Sequence, residues 1–356
     1  MTKLKVCVLF GGISPEHEVS LRSAESVLNN MDQNKYEIYP VGITKGGSWI
    51  YYAGLDYSLL PGGLWETYEG NCKAVISPAR NQGLLLFREN GVQMQPIDVV
   101  FPVLHGENGE DGTMQGLLQM AGIPFVGPHA AESAVSMDKT LTKLVADNAG
   151  VAQAAWQLVC SQDLPHKMDS IISTIEQRFM YPVFVKPAGT GSSVGVSKAA
   201  DAIQLSEALL HAAKFDNKIL VEEFIHGREI EVAVLGNKNP VASVCGEIDS
   251  GAEFYDYDAK YVTDTSVAYI PARIDDDIAE AVRELAVKVY SAVGCVGLSR
   301  VDFFVSYGSN RIVFNEINTM PGFTSISMYP KLFAASGIAY SDLIDQLIQL
   351  ALEAGV

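Results

Sequence analysis

The chain has 356 residues, more than one ordinary hydrophobic core accommodates, so two or three domains are expected. A formal net charge of −17 argues against nucleic acid and anionic membrane surfaces as partners, while still allowing a locally basic pocket for an anionic substrate. With 48% hydrophobic and 19% charged residues and no run near the ~18 apolar residues of a membrane span, the composition is that of a globular protein without a membrane anchor. Five scattered cysteines (Cys7, Cys72, Cys160, Cys245, Cys295), with no CxxC pair, read as reduced thiols in a cytoplasmic protein. The start, MTKLKVCVLFGG, lacks the apolar and small-residue regions of a secretion signal.

In chain order, Val6 to Phe10 is a continuous apolar run that reads as a buried parallel strand ending at Gly11-Gly12. Ser14-Pro15 opens a helix with proline at its first position, and Tyr36 to Ile43 is the next strand. This β–α–β order predicts a doubly wound α/β domain with its site at the strand C-termini. Glu16 and His17, in the first turn, contact a ligand or cap the helix. Residues 44–97 read as hairpins inserted in this domain, with no assignable chemistry. Ile97 to Val103 is a buried strand running into His105 and the turn Gly106–Gly112, then a helix from about Thr113 to Met120. His105 is placed either for ligand contact or for a hydrogen bond within its own loop.

Ser136 to Ala149 reads as one helix that contains Asp138 and Lys139. Val183 to Pro187 is a strand carrying Lys186, followed by the glycine- and serine-rich run Ala188–Ser197. Glycines permit close backbone approach, and exposed N–H groups in such a loop cradle phosphate oxygens; the bland alternative is a flexible hairpin turn. The run is neither a Walker A motif nor GxGxxG. Glu222, Glu223 and Glu229 lie on alternating strands, where they meet a nucleoside or simply solvate the surface. The aromatic stretch from Asp249 to Ala268 either closes over a site or packs on the body. Asp276 to Val293 is an amphipathic helix.

The stretch Gly297–Gly322 reads as a β-hairpin with its turn at Tyr307–Asn310. Glu316 and Asn318 are two apart and share a face, which Asp302 joins across the hairpin. Two carboxylates, an amide oxygen and Arg300 suit Mg²⁺ with phosphate better than a solvated face, because an unpaired buried carboxylate is costly. A C-terminal helix places Leu343, Ile344, Leu347, Ile348 and Ala351 on one side.

Together the segments LFGGISPEHEVS, LHGENGEDGTMQG, SMDK, VFVKPAGTGSSVGVSK, FYDYDAKY, SRVDFFV and NEINTMPGFTSISMYP, in this order and spacing, resemble the D-alanine–D-alanine ligases of the ATP-grasp superfamily over essentially the whole chain. The resemblance implies a three-domain ATP-grasp fold of α/β and α+β character: an N-terminal doubly wound substrate domain at 1–128, a small central domain at 129–222 and a C-terminal domain at 223–356. It implies ATP contacts at Lys139, Lys186, Ser193, Glu222, Glu223, Glu229 and Lys260. Glu222 would meet adenine and Glu229 ribose. Asp302, Glu316 and Asn318 would hold two Mg²⁺, with Mn²⁺ as a substitute and K⁺ as an assisting cation. Glu16 would meet the first D-alanine's ammonium, beside His105, with Ser192 and Tyr261 hydrogen-bonded to Glu16. Arg300 and the Gly322 N–H would polarise the acyl oxygen, while Tyr255, Ser327 and Met328 line the substrate positions. One departure is Glu223, where some relatives carry lysine. A homodimer through the first domain is implied as well.

The implied reaction is ATP-dependent joining of two D-alanine molecules through an acylphosphate, for peptidoglycan precursors. The alternatives are a D-alanine–D-lactate or D-alanine–D-serine ligase, another ATP-grasp carboxylate–amine ligase, or a non-catalytic two-lobed binding protein. Relatives selective for lactate carry histidine at the Tyr261 position, and many lactate or serine relatives carry arginine at the Met328 position. The residues here favour dipeptide formation.

Overall fold

The apolar run at the N-terminus forms β1 (Leu4–Gly11) in a computed structural model that describes residues 3–249 and 267–355. Tyr255, Lys260 and Tyr261 lie outside the described residues. After α1 (His17–Asn30) come β2 (Tyr36–Ile43), β3 (Trp49–Tyr51), β4 (Cys72–Ile76), β5 (Leu84–Arg88), β6 (Gly91–Gln95) and β7 (Val99–Leu104). They make one seven-stranded sheet, ordered β6-β5-β4-β3-β2-β1-β7. β1 pairs in parallel with β2 and β7, as the β–α–β pattern predicts. The hairpins of residues 44–97 continue the same sheet antiparallel from β2 outward. Successive β1 side chains face opposite cores. Val6, Val8 and Phe10 meet α1, while Cys7 and Leu9 meet α2 (Thr113–Ala121). Gly42 in β2 is fixed by packing: a Cβ there would stand 2.2 Å from the Trp65 ring and 2.7 Å from Phe10. Gly42→Ala is expected to destabilise the protein by roughly 1–3 kcal/mol through overpacking; a urea midpoint unchanged from the parent would contradict this.

Two expected helices differ. α1 begins at His17, with Pro15 in the turn before it, because the chain first turns at Ser14, whose Oγ donates to the His105 carbonyl at 2.7 Å. The single helix expected over Ser136–Ala149 is two, α3 (Ala130–Met137) and α4 (Lys139–Asn148), broken at Asp138. Asp138 takes an extended conformation, and its carboxylate accepts from the N–H groups of Thr140 and Leu141, so this residue caps a new helix.

A four-stranded sheet follows: β8 (Trp156–Cys160), β9 (Val183–Pro187), β10 (Ser197–Ala199) and β11 (Lys218–Glu223), ordered β10-β9-β11-β8. α5 (Leu164–Arg178) and α6 (Ala202–Ala212) cover it over a core of Val183, Val185, Leu205, Leu209, Ile219 and Val221. The third sheet holds β12 (Gly227–Leu235), β13 (Val241–Asp249), β14 (Val267–Tyr269), β15 (Leu298–Ser306) and β16 (Ile312–Asn318), ordered β14-β13-β12-β15-β16. α7 (Asp276–Val293) and α4 pack on one of its faces. α8 (Met328–Ala335) and α9 (Tyr340–Ala354) join the other face to α1 and β1 in a shared core, so the two ends of the chain are fastened together.

Candidate active site

The β15–β16 hairpin brings Asp302 opposite Glu316 and Arg300 opposite Asn318, as the two-residue period of a strand requires. A register shift between Asp302 and Phe303 lets Phe303 and Phe314 both enter the core while Glu316 keeps its place beside Asp302. Asp302 is 1% exposed and held by Arg300, whose Nε and Nη2 donate to its two oxygens at 2.8 and 2.7 Å; Asn318 Nδ2 donates at 3.0 Å. Arg300 Nε also lies 3.3 Å from Glu231 on β12. Burial works against the guanidinium charge, but Asp302 and Glu231 outweigh it and hold Arg300 cationic. Among the described residues no group of three or more His, Cys, Asp or Glu is arranged to hold a metal alone. Two carboxylates and an amide, all oxygen donors on one face, fit Mg²⁺ that completes its shell with phosphate and water.

Facing this hairpin is the turn between β9 and β10. Ser192 and Ser193 adopt left-handed φ values of 49° and 59°, which fold the loop tightly. Thr190 Oγ1 donates to the Val194 carbonyl at 2.9 Å and Lys139 Nζ to the Thr190 carbonyl at 2.6 Å. Ser192 Oγ donates to Glu16 Oε1, joining the loop to the first domain. Glu16 stands at the N-terminus of α1 without capping it, and its other oxygen lies over Gly106 and Gly191.

Beneath the loop, Lys186 on β9 and Lys143 on α4 share the carboxylate of Glu222 on β11, with both Nζ–O distances 2.6 Å. Burial alone would push the Glu222 carboxyl up; the charges of Lys143 and Lys186 and their hydrogen bonds reverse this and hold it at about 2. Burial also disfavours the Lys186 ammonium, but Glu222 beside it raises the group above its ordinary range. The Glu222 side chain is thus engaged by two lysines, and the residue also lines the cleft between the second and third sheets. Glu223 Oε1 accepts from the Ala155 N–H at 3.0 Å and lies 3.4 Å from Arg311 Nη1, so it too is engaged by protein.

A cleft of about 870 Å³ lies between the second and third sheets. Its lining combines charged and polar side chains, Lys139, Lys186, Ser193 and Glu316, with apolar ones, Phe184, Phe224, Ile225 and Phe314, a mixture suited to a ligand with both an anionic and a flat apolar part. Glu229 lies on its wall. A second space of about 40 Å³ connects Ser192 and Lys139 to Glu110, Glu316 and Asn318.

His105 is 4% exposed, and both ring nitrogens face protein: Nε2 is 3.0 Å from Ser23 Oγ and Nδ1 is 3.1 Å from the Met320 carbonyl, with Glu110 at 3.7 Å. It braces the Glu16 pocket against the segment after β16. Burial lowers the affinity of His105 for a proton, but Glu110 and Glu16 outweigh this and raise it; burial likewise raises Glu110. Ser327 turns its hydroxyl back to Thr324, accepting from the Thr324 N–H at 3.0 Å, and its Oγ is where a Gly322 Cβ would stand, 2.7 Å away. Met328 is 7% exposed and packs in the shared core against Leu332 over Gly246. Sequence reasoning passed over Lys143, Glu110 and Glu231. Lys143 carried a signal: it follows Lys139 by four residues, the spacing of one helix face.

Family models for the D-Ala D-Ala ligase N-terminus and C-terminus match residues 5–128 and 145–349. The chain is 50% identical over 354 residues to the D-alanine–D-alanine ligase of Caldicellulosiruptor bescii, covering 99% of this chain and 96% of that one. It is 49% identical to the ligase of that name in Acetivibrio thermocellus, with the same coverage. Among solved structures, the VanG D-Ala:D-Ser ligase of Enterococcus faecalis superposes with a TM-score of 0.89 at 39% identity, covering 98% of this chain and all of that one. The D-alanine–D-alanine ligase of Coxiella burnetii gives 0.85 at 33% identity, with 99% and 95% covered. The fold is the ATP-grasp fold with an N-terminal α/β domain. Matched along nearly its full length by both family models and by these relatives, the chain belongs to the D-alanine–D-alanine ligase family.

Proposed function

We propose that the chain joins two molecules of D-alanine at the expense of ATP, releasing ADP and phosphate, to make a peptidoglycan precursor. The observation that carries this reading is the hydrogen bond from Ser192 to Glu16. It joins the glycine- and serine-rich loop to Glu16, which supports reading the loop as a phosphate cradle beside a carboxylate suited to an amino acid's ammonium.

The first D-alanine's carboxylate attacks the γ-phosphorus and ADP leaves; the second D-alanine's amine then attacks the acyl carbon and phosphate leaves. Lys139 and Lys186 line the polar end of the cleft and offset repulsion between the two anions. Glu16 orients the first substrate. Arg300 binds Asp302 through Nε and Nη2, and its Nη1 together with the Gly322 N–H would stabilise the acyl oxyanion. When bound at Asp302, Glu316 and Asn318, Mg²⁺ supplies charge neutralisation to the transferring phosphoryl group. The proposal extends to two such ions, replacement by Mn²⁺, assistance by K⁺, Lys260, Tyr255 and Tyr261 contributing to the closed site, the domain division at 128 and 222, and a homodimer through the first domain. A cytoplasmic setting is supported by five free cysteines, and among the described residues no helix is long and apolar enough to cross a membrane.

A second reading, D-serine as the acceptor, is favoured by the superposition on a D-Ala:D-Ser ligase. Apolar Met328, at the position where many D-lactate or D-serine relatives carry arginine, argues for D-alanine. Purified protein offered ATP, Mg²⁺ and equal D-alanine, D-serine and D-lactate is expected to yield chiefly D-alanyl-D-alanine by mass spectrometry. A majority of mixed dipeptide or depsipeptide near neutral pH would overturn the choice of acceptor; absence of D-alanine-dependent ADP would overturn the ligase reading.

A further inference from the structure

We propose that Lys143 is a positioning residue that sets the charge of the nucleotide-phosphate site by sharing Glu222 with Lys186. The proposal rests on the reading that Lys186 faces nucleotide phosphates. Lys139 and Lys143 stand one turn apart on α4. Lys139 reaches the glycine- and serine-rich loop, whereas Lys143 runs inward, is 2% exposed and is absent from the cleft wall. Its Nζ meets Glu222 Oε1 at 2.6 Å and Gln153 Oε1 at 3.5 Å. Gln153 is itself fixed, donating to the Lys143 carbonyl at 2.9 Å and to Asp147. The second oxygen of Glu222 meets Lys186, which does line the cleft.

Charge counting gives Lys143 its role. One carboxylate between two ammonium groups leaves a net positive unit, and only Lys186 can present it to the cleft. Without Lys143, Glu222 would act on Lys186 alone and, with Glu316 and Glu229 nearby, arriving phosphates would meet one positive charge fewer. A buried charge is poorly screened, so the deficit would be felt at the phosphates. A lysine that merely held α4 against the second sheet would, when lost, lower the urea midpoint and leave the ADP affinity of the folded variant unchanged.

Binding of Mg²⁺–ADP by titration calorimetry separates these roles. Lys143→Met is expected to weaken binding by about 10-fold or more. Lys143→Met with Glu222→Gln removes one charge of each sign, and binding is expected to return to within about threefold of the parent. If the double variant binds no better than Lys143→Met, the inference is overturned. Lys186→Met serves as the reference. If it leaves ADP binding unchanged, the phosphate reading of Lys186 fails; if it weakens binding while Lys143→Met does not, only the role of Lys143 fails. Should Lys143→Met not fold, a folded double variant that binds ADP supports the proposal. A double variant that folds without binding, or does not fold, overturns it.

Discussion

Replacement of Asp302 by alanine is expected to lower D-alanine-dependent ADP formation by about 10³-fold or more, a loss at least equal to that of a transition-state donor. Two effects combine. The substitution removes one of the two opposed carboxylates that fit Mg²⁺, and it takes away the partner that fixes both the Nε and Nη2 groups of Arg300. Arg300 would then swing toward Glu231, 3.3 Å away, and leave the position from which it is proposed to meet the acyl oxygen. The damage is expected chiefly in kcat, because Lys139 and Lys186, the proposed phosphate contacts, and the rest of the cleft are left intact. A coupled assay for ADP release gives the number; turnover within tenfold of the parent would remove Asp302 from the proposed metal site and Arg300 from its proposed role.

Glu222→Gln, by contrast, is expected to act on stability. It removes the one carboxylate that both Lys143 and Lys186 contact, a loss of roughly 3–5 kcal/mol. The pH dependence follows from the depressed carboxyl of the parent. In the unfolded chain Glu222 takes up a proton near its ordinary value of 4.5, in the folded chain at about 2, so between these the unfolded state binds more protons. The stability conferred by Glu222 is therefore complete above pH 4.5 and disappears as pH falls through about 2. Urea unfolding of parent and variant should show a gap that is widest near neutral pH and closes on acidification. A gap that is small at pH 7, or that does not narrow in acid, would show that the triad contributes little to folding.

Much of this arrangement could be read without coordinates because strands have a period of two. Asp302, Arg300, Glu316 and Asn318 had to share a face once the hairpin was recognised, and the structure pairs them directly. The β1–α1–β2 unit was equally legible from its apolar runs, which leave a parallel buried strand few other choices. The break at Asp138 was not. Helix periodicity continues through the site, and only the capping bonds of Asp138 and its contact with Lys218 reveal two helices.

The sequence by itself therefore determined the element types, the metal-suited face and the family, because these depend on local periodicity and on the order of short motifs. Tertiary structure decided the partners. Glu16 and Ser192 are 176 positions apart, and Lys143, Lys186 and Glu222 come from three separate elements. No local pattern fixes which acid a lysine will meet, since a buried charge takes whichever counter-charge the packed elements deliver. Glu222 was legible as an acid on a strand; that it holds two lysines was decided when α4, β9 and β11 packed together.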